Sequence, residues 1–413
     1  MRASKRSSWC GLEAAKSPLT RPKPRVSVSQ RVALFQDSLI RDMTRLASVH
    51  GAINLAQGYP DFSAPKELKA AAARAVREGY NQYELTWGSE ELRNAIAHKA
   101  RRFNGIQATG DDNVTVTCGA TEAMVATMLA LTDSNDEVIV PEPFYECYPS
   151  SALISGARVR TVRLREPDFR LDEEELKRAF SGRRGVKPRA IVVNTPNNPT
   201  GRVLSRDELR LVADLCSDHG VVAITDEIYE QIVYDGARHV SLATLGDMAD
   251  STVTISGVSK TYSVTGWRIG YAVAEKGLTE AIRKVHDFLT VCAPAPLQRA
   301  ALAAYNLDDS YYALLTRTYT RKRDYLLKSL ESMGFECLKP EGAYFIMADF
   351  RSLWGGDDVG FAENLVKDGG VAVVPASSFF STPGAGKTRV RLAFPKQDST
   401  LREAVERMRK RIG

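Results

Sequence analysis

Between residues 113 and 274 the chain alternates strand-like and helix-like segments, and most strand-like runs stop at a residue able to do chemistry. Asn113–Cys118 alternates as a strand does, and the helical run Glu122–Leu131 follows it across Gly119, Ala120 and Thr121. Glu137–Pro141 is a second strand, 159–164 a third, and Leu171–Phe180 a charged helix. Arg189–Asn194 runs into Thr195-Pro-Asn-Asn-Pro-Thr-Gly201, where two prolines impose an irregular loop and make Asn198–Pro199 a candidate cis bond. Leu204–His219 reads as a helix with Ser205 as its cap. Gly220–Asp226 is apolar up to its last two residues, as a strand buried on both faces must be. This pattern predicts an α/β fold: a mostly parallel sheet with helices on both faces. Ligands of such sheets sit at the carboxyl ends of the strands.

Those ends carry a consistent chemistry. Thr252–Gly257 leads to Lys260, a lone lysine among Ser, Thr and Gly, with Arg268 eight residues further on. Small neighbours let a cofactor ring approach, and nearby positive charge keeps an amine neutral and nucleophilic. Arg268 offers a permanently charged planar fork to a phosphate. Gly119–Thr121 forms a strand-to-helix turn, where free N–H groups and the helix dipole favour an anion. Aromatic residues follow Pro141, and Asp226 is a carboxylate at the end of a buried strand, which requires a partner. Neither GxGxxG nor a Walker loop is present, which disfavours dinucleotide and nucleoside-triphosphate binding.

The flanks extend this core. Residues 31–49 have helical spacing with Asp37 and Ser38 as candidate caps, and Gly58 lies in the loop Ile53–Pro65, where backbone can approach a ligand. Ser89 caps a helix that carries His98 as a surface or packing residue. Residues 297–333 read as one long charged helix leading into a smaller α+β domain with strands at 342–348, 371–375 and 388–394 and a closing helix 399–411. Arg389 and Arg391 share one face of the third of these strands, so alternation does not choose between them. The expected division is a basic extension 1–30, an N-terminal arm 31–75 that joins the small domain, a large domain 76–300 and a small domain 301–413.

With 413 residues the chain is long enough for two domains, and its net charge of +6 needs locating before it is interpreted. Seven basic residues against Glu13 in residues 1–25 account for all of it, so the body is formally neutral and gives no reason to expect nucleic acid. No stretch has the length and apolarity of a membrane span. Six cysteines scattered singly, without a secretory leader, suggest reduced thiols in the cytoplasm.

Several ordered passages together resemble the class I aminotransferases, fold-type I enzymes that use pyridoxal 5′-phosphate, nearest the kynurenine, glutamine K and methionine aminotransferase branch. They are Asn54–Phe62, Asn81-Gln-Tyr83, Glu142-Pro-Phe-Tyr-Glu-Cys-Tyr148, Asp226-Glu-Ile-Tyr229, Val233–Gly236, Ser259–Arg268 and Val390–Phe394. The resemblance implies that Lys260 forms the Schiff base with the cofactor and shuttles the proton, and that Asp226 pairs with the pyridinium nitrogen. It implies that Tyr229 and Asn198 bond the ring oxygen, Tyr145 stacks on the ring, and Gly119, Ala120, Thr121, Ser259 and Arg268 surround the phosphate. By the same resemblance Arg391 takes the substrate carboxylate beside Gly58 and Asn198. The resemblance also implies that Tyr83 reaches the phosphate of a neighbouring subunit, and with it a homodimer. One departure stands out: many relatives have a phosphate-binding serine where this chain has Gly257, with Ser256 and Ser259 beside it.

Two further expectations concern the reaction. Position 121 is Thr, and no Arg or Lys occurs between His286 and Gln298, so no second cation is expected for a side-chain carboxylate. This predicts neutral donors such as methionine, glutamine or aromatic amino acids, with a 2-oxo acid as acceptor. The alternative is a fold-type I lyase or cyclising enzyme that uses the same ring-holding residues for elimination, a distinction that fold does not decide.

Overall fold

The computed structural model describes residues 29, 32–35, 37–182 and 186–412; the basic extension falls almost entirely outside them. Seven strands form the central sheet: β1 (Val114–Thr117), β2 (Glu137–Glu142), β3 (Arg158–Arg163), β4 (Pro188–Asn194), β5 (Val222–Asp226), β6 (Thr252–Gly257) and β7 (Gly270–Val273). Their spatial order is β1-β7-β6-β5-β4-β2-β3. Only β7 runs against its neighbours; the remaining pairings are parallel. The mostly parallel sheet expected from the sequence is therefore present.

Alternation along the strands sends side chains to two cores. Val138, Val140, Val192 and Ile224 pack with Met124 and Met128 of the helix Ala120–Leu131 and with Ile282 of the helix Lys276–Leu289. Ile139, Ile191, Val193 and Ala223 face the other way, onto Leu209 and Val212 of the helix Arg206–His219. Each such fully buried aliphatic side chain contributes about 1.5–3 kcal/mol of burial free energy. That last helix starts in a complete capping box between Ser205 and Glu208.

In the smaller unit β8 (Phe345–Asp349), β9 (Val374–Pro375) and β10 (Arg389–Ala393) form an antiparallel sheet with Glu336–Cys337, and β10 lies between β9 and β8. Ile53–Asn54 pairs in parallel with Val371–Ala372, which ties the N-terminal arm to this unit. Glu142, at the end of β2, is fully buried and accepts hydrogen bonds from the Ser381 and Thr382 backbone, so the two units meet beside the strand ends.

Three element expectations change. The strand expected at 371–375 is two, Val371–Ala372 and Val374–Pro375, which lie in different sheets. The first helix begins at Leu39 and not near residue 31, because Ser38 caps it by accepting from Arg41 N at 3.4 Å; Asp37 does not cap. The long helix is two, Ala295–Tyr305 and Asp309–Ser332, since Asp308 accepts from Ser310 N at 2.8 Å and starts the second. Among the described residues no helix is long and apolar enough to cross a membrane.

Candidate active site

The ends of β1, β4, β5 and β6 open onto a cavity of about 360 Å3. The register sets Asn194 beside Asp226 and Asp226 beside Ile255, so neighbouring strands deliver their last residues at one level. Gly58, Ala120, Thr121, Tyr145, Asn198, Asp226, Tyr229, Ser259, Lys260, Arg268 and Arg391 all line this cavity.

At one end the β1 turn meets the start of the helix Ala120–Leu131. Gly119 has φ of +83°, and a Cβ there would lie 2.3 Å from the Arg268 guanidinium. β7 presses against the same turn: a Cβ on Gly270 would lie 2.3 Å from Ala120 N. The first N–H groups of the helix lack intrahelical acceptors. Arg268 donates to Thr265 O at 3.0 Å and to Cys118 O at 3.4 Å, both neutral carbonyls. The turn and the guanidinium together make a cradle for a dianion.

Gly257 has no room for a side chain, since a Cβ would meet Ile269 O at 2.8 Å and Gly270 Cα at 2.9 Å. Ser256 turns away from the cavity and donates to Glu230 Oε1 at 2.9 Å, whereas Ser259 lines the cavity. Of the two serines near Gly257, Ser259 is the one that lines the cavity.

In the middle of the cavity Asp226 is buried and accepts from Tyr148 OH at 2.9 Å and from Ile228 N at 3.1 Å. Burial pushes its carboxyl above the ordinary range, and these two donors and Lys260 only partly offset that. No cation among the described residues forms an ion pair with it. Lys260 donates to Gly58 O at 3.2 Å. Burial lowers its amine, Asp226 opposes the shift, Arg268 and Arg391 reinforce it, and the result is about 8.

Arg391 lines the same cavity. It is 1% exposed, donates to Asn198 Oδ1 at 2.7 Å and to Ala56 O at 2.6 Å, and its Nε is buried without a partner. Phe345 and Phe379 lie against it, and burial brings its guanidinium down to about 10. The two arginines that alternation left equivalent are now distinct: Arg389 is engaged by Glu166 and Asp349, and Arg391 faces the cavity.

Three participants were not recognised from sequence as site residues. Tyr148 lies within a quoted motif, but its bond to Asp226 depends on where the helix Cys147–Ser155 sits. Tyr344 donates to Gly58 O at 2.8 Å and packs edge-on to Tyr229. Arg41, from the first helix, lines the cavity mouth with its side chain 74% exposed and 4.0 Å from Glu146. A cation is thus present beside the cavity, on the first helix and far in sequence from the span His286–Gln298. Tyr83 does not line the cavity of its own chain and is 82% exposed.

The family model for "Aminotransferase class I and II" matches residues 50–408. The chain belongs to this family. A methionine aminotransferase of Escherichia coli is 37% identical over 90% of this chain and 95% of its own length. An aspartate aminotransferase of Pyrococcus abyssi is 33% identical over 93% and 98%. The solved N-succinyldiaminopimelate aminotransferase of Mycobacterium tuberculosis superposes with a TM-score of 0.89 at 37% identity and covers 93% of this chain and all of that one. The donors these names state differ, so family membership establishes an aminotransferase acting on amino acids and leaves the branch open.

Membership implies pyridoxal 5′-phosphate, and the aminotransferase cavity fits it. The turn at Gly119 and the Arg268 guanidinium would suit a phosphate, and the buried Asp226 lacks the cation that a protonated ring nitrogen would supply. Lys260, with its lowered amine, stands between them.

Proposed function

We propose that this aminotransferase moves the amino group of a neutral L-amino acid to a 2-oxo acid by a ping-pong mechanism. The observation that carries the reading is Arg391, a buried guanidinium that lines the cavity and is bonded only to neutral oxygens. Such a group lacks a carboxylate, and an α-carboxylate completes it bidentately.

When bound, pyridoxal phosphate supplies an electron sink that stabilises negative charge at the substrate Cα. The chain's own residues do the rest. Gly119, Ala120, Thr121, Ser259 and Arg268 hold the phosphate. Asp226, aligned by Tyr148, keeps the ring nitrogen protonated, and Tyr145 packs on the ring. The Asn198 carbonyl is taken up by Arg391, so its NH2 is left to donate to the ring oxygen, with Tyr229 as the second donor. Lys260 would hold the cofactor, and its amine, lowered to about 8, is suited to carry the proton at the substrate Cα. Gly58 supplies a close backbone wall beside the substrate, for a Cβ there would lie 2.7 Å from Phe345.

Neutral donors are favoured because, among the described residues, Arg391 is the only buried guanidinium lining the cavity, and Arg41 is exposed and opposed by Glu146. An acidic donor is the second reading, supported by Arg41 itself. The reading further includes the division into arm, large domain and small domain, a cytoplasmic location and a homodimer. The dimer is supported by the exposure of Tyr83 next to Leu85, Phe288 and Val291.

The test is the absorption spectrum of the cofactor-loaded protein mixed with single amino acids. A visible band that gives way to a near-ultraviolet band, and returns on adding a 2-oxo acid, is the expected result. Release of keto acid with ammonia would point to elimination. A higher kcat/KM for aspartate than for methionine, glutamine and phenylalanine would overturn the neutral-donor reading.

A further inference from the structure

Lys396 lies just beyond β10 and is 2% exposed, yet among the described residues it makes no ion pair. Its Nζ donates to Tyr59 O at 2.9 Å, lies 3.5 Å from Gln57 O, and sits 3.9 Å from the centre of the Tyr59 ring. All three contacts fall on one segment, Gln57–Tyr59, and each residue of that segment lines the cavity. From the inside the same segment receives Lys260 and Tyr344 on Gly58 O. Arg391, on the strand that leads to Lys396, holds the preceding carbonyl, Ala56 O. A buried ammonium is costly, and here only backbone carbonyls and a ring face compensate it. The charge therefore helps to fix three residues that lie outside regular secondary structure.

We propose that Lys396 is a positioning residue, whose ammonium clamps Gln57–Tyr59 against the cavity so that the substrate carboxylate meets a preset backbone wall beside Arg391. The inference rests on the carboxylate-binding reading of Arg391. Burial pushes the Lys396 amine down to about 8, with Asp61 acting the other way. The other charged groups around it are Lys322, which donates to Lys396 O, and Asp398, which pairs with Lys322. The clamp is thus charged at pH 7 and loses its charge as pH rises through about 8.

The experiment uses cofactor-loaded wild type, K396M and K396R, with 3-phenylpropionate as a carboxylate probe that has no amine to titrate. In K396M we expect its dissociation constant to rise about tenfold, the donor KM to rise in step, and kcat to stay within about threefold. The visible band and cofactor affinity stay at wild-type values, and K396R restores most of the probe affinity. In wild type the probe weakens between pH 7 and 9; in K396M it does not, and in K396R the weakening moves to higher pH. An unchanged dissociation constant in K396M, or kcat falling as far as KM rises, overturns the proposal. Should K396M fail to accumulate, a flat wild-type profile from pH 7 to 9 overturns it alone. If the loaded protein moves no amino group, the functional reading fails separately, because the probe titration still reports on the clamp.

Discussion

Arg391 shows most directly what single residues do in this cavity. Its guanidinium is desolvated before any substrate arrives, so part of the cost of binding an anion is already met in the folded protein. Replacing it by methionine should raise the donor KM about 100-fold, the worth of a charge-assisted bidentate contact of about 3 kcal/mol, and leave cofactor affinity unchanged. Steady-state kinetics and a cofactor titration check both halves. Lys260 makes a pH prediction. Its proton leaves as pH rises through about 8, so in cofactor-stripped protein the neutral amine increases from pH 7 to 9 and then levels off. The rate at which added pyridoxal phosphate develops its visible band in stopped flow should follow that curve; a rate still climbing at pH 10 would mean the amine titrates at its ordinary value. Lys260, Asp226, Asn198 and Arg268 were legible in the sequence because each closes a strand or its turn, and the sheet alone brings strand ends together. Tyr148, Tyr344 and Arg41 were not, because their places depend on how helices and the second unit lie over the sheet.

At the scale of elements, the turn after β5 carries a second, wholly buried set of charges behind Asp226. Glu230 pairs with Lys99 and accepts from Asn104 at 2.8 Å and Ser256 at 2.9 Å, while Glu227 accepts from Ser241 at 2.6 Å and faces His239 at 2.8 Å. These bonds tie β5 and β6 to the helix Glu90–Lys99. Burial pushes the Glu230 carboxyl up, but Lys99, His239 and Asn104 together bring it below its ordinary value. A carboxylate held low stabilises the fold above its unfolded pKa and loses that contribution as pH falls through the folded value. K99M leaves the charge unpaired and should cost about 3–5 kcal/mol of stability at pH 7. Because protonating Glu230 relieves that penalty, the gap to wild type in calorimetric Tm should narrow below pH 4; a constant gap would show that Lys99 acts by packing alone. The strands and most helices were readable from apolar periodicity. The break before Asp309 was not, because a local side-chain cap interrupts charged helical spacing without changing the apolar pattern.

Across the whole molecule, the surface beside the phosphate cradle is apolar and uncovered. Phe288 is 95% exposed, Tyr83 82%, Leu85 47% and Val291 44%. His286 joins the two segments, bonding Thr86 O and the Glu122 carboxylate at 2.7 Å each. Cys118 Sγ approaches Cys292 O at 3.8 Å, which brings the second segment against the turn that leads into the cradle. Exposed aromatic residues on segments that pack beside a binding cavity are what a partner surface needs. If a second copy covers them, each cradle gains the partner subunit's Tyr83 as a phosphate donor, and dimerisation and cofactor retention become linked quantities. F288E places a charge in the covered face and removes a side chain whose burial is worth about 1.5–3 kcal/mol per subunit. Light scattering should report twice the chain mass for wild type and a shift towards the single chain for F288E as the protein is diluted. Cofactor affinity should fall in F288E by at least the factor lost in Y83F, while Y83F itself stays dimeric. A monomeric F288E that binds pyridoxal phosphate as tightly as wild type would separate the interface from the site, and Tyr83 would then have no place in the cradle.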